Sequence, residues 1–142
     1  MAQEKENARS ALGALGEQHA VDHLIDQGWE ILERNWSTKL GEVDIIAARQ
    51  EERYGQVIEQ VIFVEVKTRR ARSMRDRPEA SVTATKRRRI GKLARSWRKL
   101  KPPHAPISLR FDVIGVVVFA DVDSEPELLH TASAFDEQGK LL

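Results

Sequence analysis

The 142-residue sequence contains no cysteine, and proline and glycine are scarce, with five and eight residues. The lack of cysteine excludes disulfide bonds, thiolate metal sites and cysteine nucleophiles, so any bound metal ion has to be held by oxygen or imidazole ligands. No stretch approaches the roughly 18 apolar residues that a membrane-spanning helix requires. We therefore expect one globular domain, spanning residues 1–142, in the cytoplasm and without a membrane partner.

The net charge of +1 conceals an uneven distribution of charge along the chain. The stretch from Arg69 to Lys101 is densely basic and contains only Asp76 and Glu79 as acidic residues. Such a local excess of positive charge attracts polyanions. The charge pattern therefore indicates a nucleic-acid partner.

Hydrophobic periodicity predicts the element order helix, three strands, helix, strand, strand. The first helix is predicted over residues 7–27 with Gly28 as its stop, and the second over residues 84–100 with Thr83 or Ser81 as its cap. The charged residues 51–55 are predicted to form a turn. The strands are predicted at residues 29–36, 41–49, 57–68, 109–119 and 128–135.

Charged residues interrupt the second and third strands. Because side chains alternate along a strand, Glu65 and Lys67 are predicted to share a face, and Asp44 is predicted to share one with Glu42 and Ile46. If the two strands pair, Asp44 lies beside Glu65. Two adjacent carboxylates repel each other, and a divalent cation usually relieves that repulsion. All-oxygen ligation favours Mg²⁺ or Mn²⁺ over zinc.

Lys67 adds a cation to this pair of carboxylates. A metal ion polarises a phosphoryl oxygen and lowers the pKa of a bound water, and a neighbouring ammonium orients that water or stabilises the developing charge. These are the requirements of phosphodiester hydrolysis. The alternative is that Glu65 and Lys67 form an ordinary ion pair on a solvated strand face.

Two strings of residues closely resemble the signature of a known bacterial family. GEVDIIA at residues 41–47 and FVEVKTR at residues 63–69 resemble the motifs of the YraN family of predicted nucleases. Further matches run nearly end to end, among them residues 13–17, residues 110–114 and His130. That family resembles the PD-(D/E)xK nuclease superfamily and is similar to archaeal Holliday-junction resolvases.

The resemblance implies an α/β fold with a restriction-endonuclease-like core, in which helices flank a mixed β-sheet. It implies that Asp44 and Glu65 are metal ligands, that Lys67 is the catalytic lysine, and that Glu17 is an additional catalytic acid and metal ligand. The implied activity is endonucleolytic cleavage of DNA, in particular branched or structured DNA, with Mg²⁺ or Mn²⁺ as cofactor. If the similarity to junction resolvases extends to assembly, a homodimer is expected.

A track of basic residues is predicted to bind the phosphate backbone, with DNA favoured over RNA. Few acidic residues lie among them to form i, i+4 pairs, which favours phosphate contact over a solvated helix face. Such contacts confer affinity without sequence preference. The residues are Arg69, Arg70, Arg72, Lys86, Arg87, Arg88, Arg89 and Lys92.

Two other functions remain open from the sequence: a non-catalytic nucleic-acid-binding module with a nuclease-like fold, and an RNA-processing nuclease. Outside the proposed site, Trp97 is predicted to pack in the core, because it falls on the apolar stripe of the second helix. Asp112, within an apolar run, is predicted to form a structural ion pair with a basic residue such as Arg110 or an arginine of the second helix; the alternative is that it supports the metal ligands. The four histidines are interpreted as structural or surface residues, because as a set they show no metal-ligand spacing: His19 and His23 are one helical turn apart, but no third ligand lies near them in the sequence. The others are His104 and His130.

Overall fold

The computed structural model of the chain describes residues 2–71, 82–120 and 124–142. The elements in these ranges follow the predicted order. They are α1 (Ala2–Asp26), β1 (Glu30–Thr38), β2 (Gly41–Arg53), β3 (Gln56–Ala71), α2 (Ala84–Arg98), β4 (Ile107–Phe119) and β5 (Glu127–Phe135).

The described strands form one sheet in the order β1-β2-β3-β4-β5. The pairs β1–β2, β2–β3 and β4–β5 are antiparallel, whereas β3 and β4 are parallel. A parallel pair requires a crossover connection, and α2 lies in the chain between its two strands. The fold is therefore α/β with a mixed sheet, as predicted.

Each face of the sheet has its own hydrophobic core, covered by one helix. Ala20, Val21 and Leu24 of α1 pack on one face, with strand residues such as Ile62 and Ile114. Ile90, Leu93, Ala94 and Trp97 of α2 pack on the other face. The predicted core position of Trp97 is confirmed, because its ring meets Phe63 edge-to-face at 5.6 Å between centroids. The helices therefore flank the sheet.

The hairpin between β2 and β3 is longer than the sequence predicted. Residues 51–53 continue β2, and the turn is reduced to Tyr54 and Gly55, whose φ angles of 50° and 77° suit a two-residue hairpin turn. Glu51 pairs with Arg49 and Arg53 at 3.4 and 3.0 Å. The predicted five-residue turn is wrong because these ion pairs let charged residues remain in the strand.

The side chains of β2 do not alternate strictly. Val43 and Ile46 both pack in the core beneath α2, whereas Ile45 packs in the core beneath α1. The predicted alternation, which set Ile46 on the opposite face from Val43, is therefore wrong. Pairing of β2 with β3 runs from Arg53↔Gln56 to Ile45↔Val64, and beyond this pair the two strands part.

Both helix ends follow local backbone chemistry. Gly28 adopts φ 91° directly after α1, which confirms the predicted stop. Thr83 caps α2 by accepting a hydrogen bond from the backbone N–H of Lys86 at 3.2 Å.

Neither described helix combines the length and apolarity needed to cross a membrane.

Candidate active site

Two carboxylates meet at the point where β2 and β3 part. Asp44 is partly buried on β2, and Glu65 is buried on β3, with 2% of its surface exposed. Continued pairing would set Val66 opposite Val43; instead the Val66 N–H donates to Asp44 Oδ2 at 2.8 Å. The Asp44 side chain thus replaces the next rung of the ladder.

The environment of Asp44 disfavours its charge. Burial, followed by the negative charge of Glu65, raises the pKa of Asp44 to about 7. The Val66 N–H and the Lys86 ammonium act in the opposite direction and do not cancel the rise. Near neutral pH Asp44 therefore readily retains a proton, and an added cation would favour its release.

Two lysines approach Glu65 from different elements. Lys67 Nζ lies 3.7 Å from Glu65 Oε1, and Lys86 of α2 forms an ion pair with the same oxygen. Burial, then the charge of Lys86, lowers the pKa of Lys67. Burial also acts to lower the pKa of Lys86, but the hydrogen bond and charge of Glu65 outweigh it, so that this pKa is raised. The site thus contains two acids, Asp44 and Glu65, and two ammonium groups, those of Lys67 and Lys86.

Glu17 reaches the same region from α1. Asn35 Nδ2 donates to Glu17 Oε1 at 2.9 Å, and Arg34 Nε lies 3.7 Å from that oxygen. Burial, then the charge of Asp44, raises the pKa of Glu17, although Arg34 and Asn35 oppose this. Glu17 is therefore electrostatically part of the Asp44 site, as a third acid beside the pair.

The approach of α1 to β3 depends on Gly16. A Cβ at this position would collide with the Thr68 side chain, so only glycine allows this separation between helix and strand. Asn35, which holds Glu17, adopts φ 50°, in the left-handed region that asparagine tolerates better than most residues. Two local backbone features thus bring the Glu17 carboxylate to the site.

A cavity of about 600 Å³ opens between α1 and the ends of β2 and β3. Glu17, Asn35, Asp44, Lys67 and Thr68 line it, together with apolar and small residues of α1. Its volume is within the range of small-molecule sites. The carboxylates of Glu17 and Asp44 and the ammonium group of Lys67 are accordingly accessible to a ligand from this side.

The residues of the basic track differ in their surroundings. Lys86 is engaged by Glu65, and Arg87 donates to the backbone oxygens of Gly139 and Val82 at 2.8 and 2.7 Å. Arg69 is partly buried, and Arg72 lies outside the described residues. Four members of the track are exposed, so their side chains can reach a phosphate backbone. They are Arg70, Arg88, Arg89 and Lys92.

The oxygen donors of Glu17, Asp44 and Glu65 are of the kind that a hard divalent cation prefers. Among the described residues, no three His, Asp or Glu side chains are grouped so as to hold a metal ion without rearrangement. Glu65 is instead neutralised by Lys86, and Glu17 is held by Asn35. Burial and the negative charge of Glu65 raise the pKa of Asp44, and Mg²⁺ or Mn²⁺ at this carboxylate would favour its ionised form.

A second buried acid, Asp112, lies in a network that the sequence only partly predicted. Arg110 donates two hydrogen bonds to its carboxylate, at 2.9 and 2.8 Å, which confirms the predicted ion pair. His130 Nε2 lies 2.8 Å from Asp112 Oδ2, and His130 Nδ1 lies 3.2 Å from His23 Nε2. The histidine contacts join distant residues and have no signal in sequence spacing.

Lys86 is the site residue whose role sequence reasoning missed, since it was assigned to the phosphate track. One available signal was its position in the first turn of α2, three residues after the cap, where the helix dipole disfavours a positive charge. The contact of Asn35 with Glu17 has no signal in the sequence, because the left-handed backbone of Asn35 within β1 is visible only in the structure.

The comparisons place the chain within a sequence family. The family model described as "Uncharacterised protein family UPF0102" matches residues 16–116, a range that includes all the acids and lysines of the site. A UPF0102 protein of Trichlorobacter lovleyi is 43% identical over 126 residues, covering 89% of this chain and 91% of the relative. A UPF0102 protein of Mycolicibacterium smegmatis is 45% identical over 124 residues, covering 87% and 92%. The chain therefore belongs to the UPF0102 family.

Proposed function

We propose that this member of the UPF0102 family is a metal-dependent endonuclease of the PD-(D/E)xK type, acting in the cytoplasm on branched or otherwise structured DNA. The observation that carries the proposal is the pairing of Asp44 with buried Glu65, with Lys67 3.7 Å from Glu65. Two such acids are costly to bury together unless a cation joins them. The resemblance of the surrounding strings to predicted nucleases supports the same reading.

Asp44 and Glu65 would hold the Mg²⁺ or Mn²⁺ ion, and Glu17 would extend the oxygen ligands from α1. When bound, the ion supplies a polarised phosphoryl oxygen and a water of lowered pKa. Lys67 borders the cavity, from which its ammonium can orient the attacking water or donate a hydrogen bond to the phosphate. Its lowered pKa suits a group that exchanges a proton during the reaction.

The exposed basic residues Arg70, Arg88, Arg89 and Lys92 would hold the DNA backbone. Such contacts neutralise phosphates and release counterions, so binding should weaken steeply as salt increases. Because they do not read base edges, cleavage should depend on the shape of the DNA more than on its sequence. Structured substrates are the favoured class for this reason.

A cleavage screen tests the proposal. Purified protein is incubated with branched, flapped, single-stranded and duplex DNA and with structured RNA, in Mg²⁺, Mn²⁺ or EDTA. We expect metal-dependent cleavage of structured DNA that falls by about a hundredfold or more in Asp44→Asn and Glu65→Gln, the scale typical of losing an essential electrostatic group. An amide at position 44 retains an oxygen to accept the Val66 N–H, so the fold is preserved.

The matched control is Glu52→Gln, which removes an exposed carboxylate at the far end of β2 and should leave cleavage unchanged. Undiminished cleavage by both site variants would refute the assignment of the active site. Cleavage of RNA alone would redirect the proposal to an RNA-processing nuclease.

A non-catalytic nucleic-acid-binding module is the second candidate. The ion pair between Glu65 and Lys86 favours it, because a carboxylate that already has a cation does not require a metal. If the protein binds DNA with a steep salt dependence but titrates neither Mg²⁺ nor Mn²⁺, the binding module is correct. Measurable metal binding favours the nuclease.

A further inference from the structure

Lys86 occupies a helix position that ordinarily favours an acid. It lies three residues after the cap Thr83, where a capping box would have Glu or Gln, and the first turn of α2 contains no acidic residue. The N-terminal end of a helix carries partial positive charge, which repels an ammonium group. Local helix chemistry therefore does not account for a lysine at this position.

The Lys86 side chain is directed to the acidic pair. Its ammonium contacts Glu65 Oε1, while the Glu65 side chain is 3% exposed and that of Lys86 is 39% exposed. The charge of Asp44 also acts on Lys86. The Lys86 side chain thus extends from solvent to the Glu65 carboxylate, which is almost completely enclosed.

This ion pair is not needed to attach α2 to the sheet. Four residues of the helix, Ile90, Leu93, Ala94 and Trp97, are already buried in the core on that face. The Arg87 guanidinium further fastens the first turn through the backbone oxygens of Gly139 and Val82. Lys86 therefore contributes charge at the site rather than attachment of the helix.

We propose that Lys86 is the resident counter-cation of the Asp44 and Glu65 pair, and that it competes with the divalent metal ion for the Glu65 carboxylate. The inference rests on the proposed function as a metal-dependent enzyme. In the metal-free protein the ammonium offsets the charge of the buried acid. Because an ammonium and a divalent cation repel each other strongly at one carboxylate, the lysine has to leave Glu65 when metal binds. Metal affinity is reduced by the cost of breaking this ion pair.

Calorimetric titration with Mn²⁺ tests the competition. At a pH well above 7, where Asp44 is ionised, Lys86→Met should lower the Kd for Mn²⁺ by about tenfold, the scale of one charge-assisted hydrogen bond that no longer has to be broken. The matched control is Lys99→Met, which removes an exposed lysine at the C-cap of the same helix and should leave Kd unchanged. A Kd for Lys86→Met that equals or exceeds the wild-type value would overturn the proposal.

A second measurement uses the wild-type protein and so does not depend on how the variant folds. In lysine-labelled protein, the NMR signal of the Lys86 side chain, identified by its absence from Lys86→Met, should move to the position of solvated lysines as Mg²⁺ is added. The signal of Lys99, at the other end of α2, should not move. A Lys86 signal that stays in place at saturating Mg²⁺ shows that the ion pair persists, which contradicts displacement.

These measurements separate the inference from the proposed function. Cleavage without a gain in metal affinity for Lys86→Met would refute the competition and leave the nuclease standing. A gain in affinity without cleavage of any substrate would leave the competition standing and refute the nuclease. If neither wild type nor Lys86→Met binds Mn²⁺, the competition is wrong.

Discussion

Two acids, on the strands that flank β3 in the sheet, have opposite environments. Asp112 on β4 is fully buried. Its carboxylate accepts two hydrogen bonds from Arg110 and one from the Ser133 N–H, and it also contacts His130 Nε2. Burial alone would raise the pKa of Asp112, but these partners outweigh it and lower the pKa. Asp44 on β2 has one backbone N–H and a second acid, and its pKa rises to about 7.

The difference teaches how to separate a structural charge from a functional one. An acid whose hydrogen bonds are all satisfied by the fold contributes stability and has little capacity left for a ligand. An acid held next to another acid costs stability and still has capacity to bind a cation. Asp112 belongs to the first kind and Asp44 to the second.

The largest expected effect is the loss of stability in Asp112→Asn. The amide would leave Arg110 and His130 without their anionic partner, and breaking a buried ion pair costs about 3 kcal/mol or more. Urea denaturation at neutral pH measures the change. The matched variant is Asp44→Asn, which removes a repelled charge and should not lower the free energy of unfolding. Equal destabilisation by both substitutions would break the comparison.

The pH dependence of stability also distinguishes Asp44 from Asp112. For Asp44 we expect the free energy of unfolding to change by about 1–3 kcal/mol with pH. Because the pKa of Asp44 is raised, the folded protein retains a proton that the unfolded chain releases, so this group lowers stability as pH rises from about 4 to about 7. The stability of Asp44→Asn relative to wild type should therefore increase across this range. Urea denaturation at several pH values measures the difference.

Asp112 has the opposite sign, because its pKa is lowered. The ionised Asp112 carboxylate stabilises the folded protein above the ordinary pKa of an aspartate, about 4. This stabilisation is lost as pH falls through the lowered pKa of the folded state. The deficit of Asp112→Asn should accordingly shrink in acid. If Asp44→Asn shows the same trend as Asp112→Asn, the assignment of Asp44 to a repulsive environment is incorrect.

The smallest effect concerns two glycines of α1, which extends the comparison from charge to packing. Gly16→Ala should lower stability by about 1–2 kcal/mol, because its Cβ would collide with Thr68. Gly13 has no heavy atom within 4 Å of an added Cβ, so Gly13→Ala should gain up to about 1 kcal/mol from helix propensity. Thermal unfolding of both variants measures this difference.

Gly16→Ala should also weaken any function that requires Glu17, because the next residue moves with the helix. Gly13→Ala should retain full function. Stabilisation by Gly16→Ala would mean that the close contact between α1 and β3 is not needed for the folded state.

Much of the architecture was predictable because it depends on local pattern. Apolar spacing predicted α1 and α2, β-branched runs predicted the strands, and Gly28 and Thr83 marked helix ends. The five-residue turn and the strict alternation of β2 were wrong for reasons that are not local. Ion pairs between Glu51 and its neighbours prolong the hairpin, and Val43, which lies beyond the point where β2 parts from β3, packs in the same core as Ile46.

By itself, the sequence determined which acids and lysines are available for chemistry and on which elements they lie: Glu17 on α1, Asp44 on β2, and Glu65 and Lys67 on β3. The tertiary structure alone decided that Lys86 of α2 neutralises Glu65, whereas Arg87, the next residue, is bound to backbone oxygens. The physical reason is that an ion pair depends on distance in space and on burial, and neither is encoded in the spacing of residues along the chain.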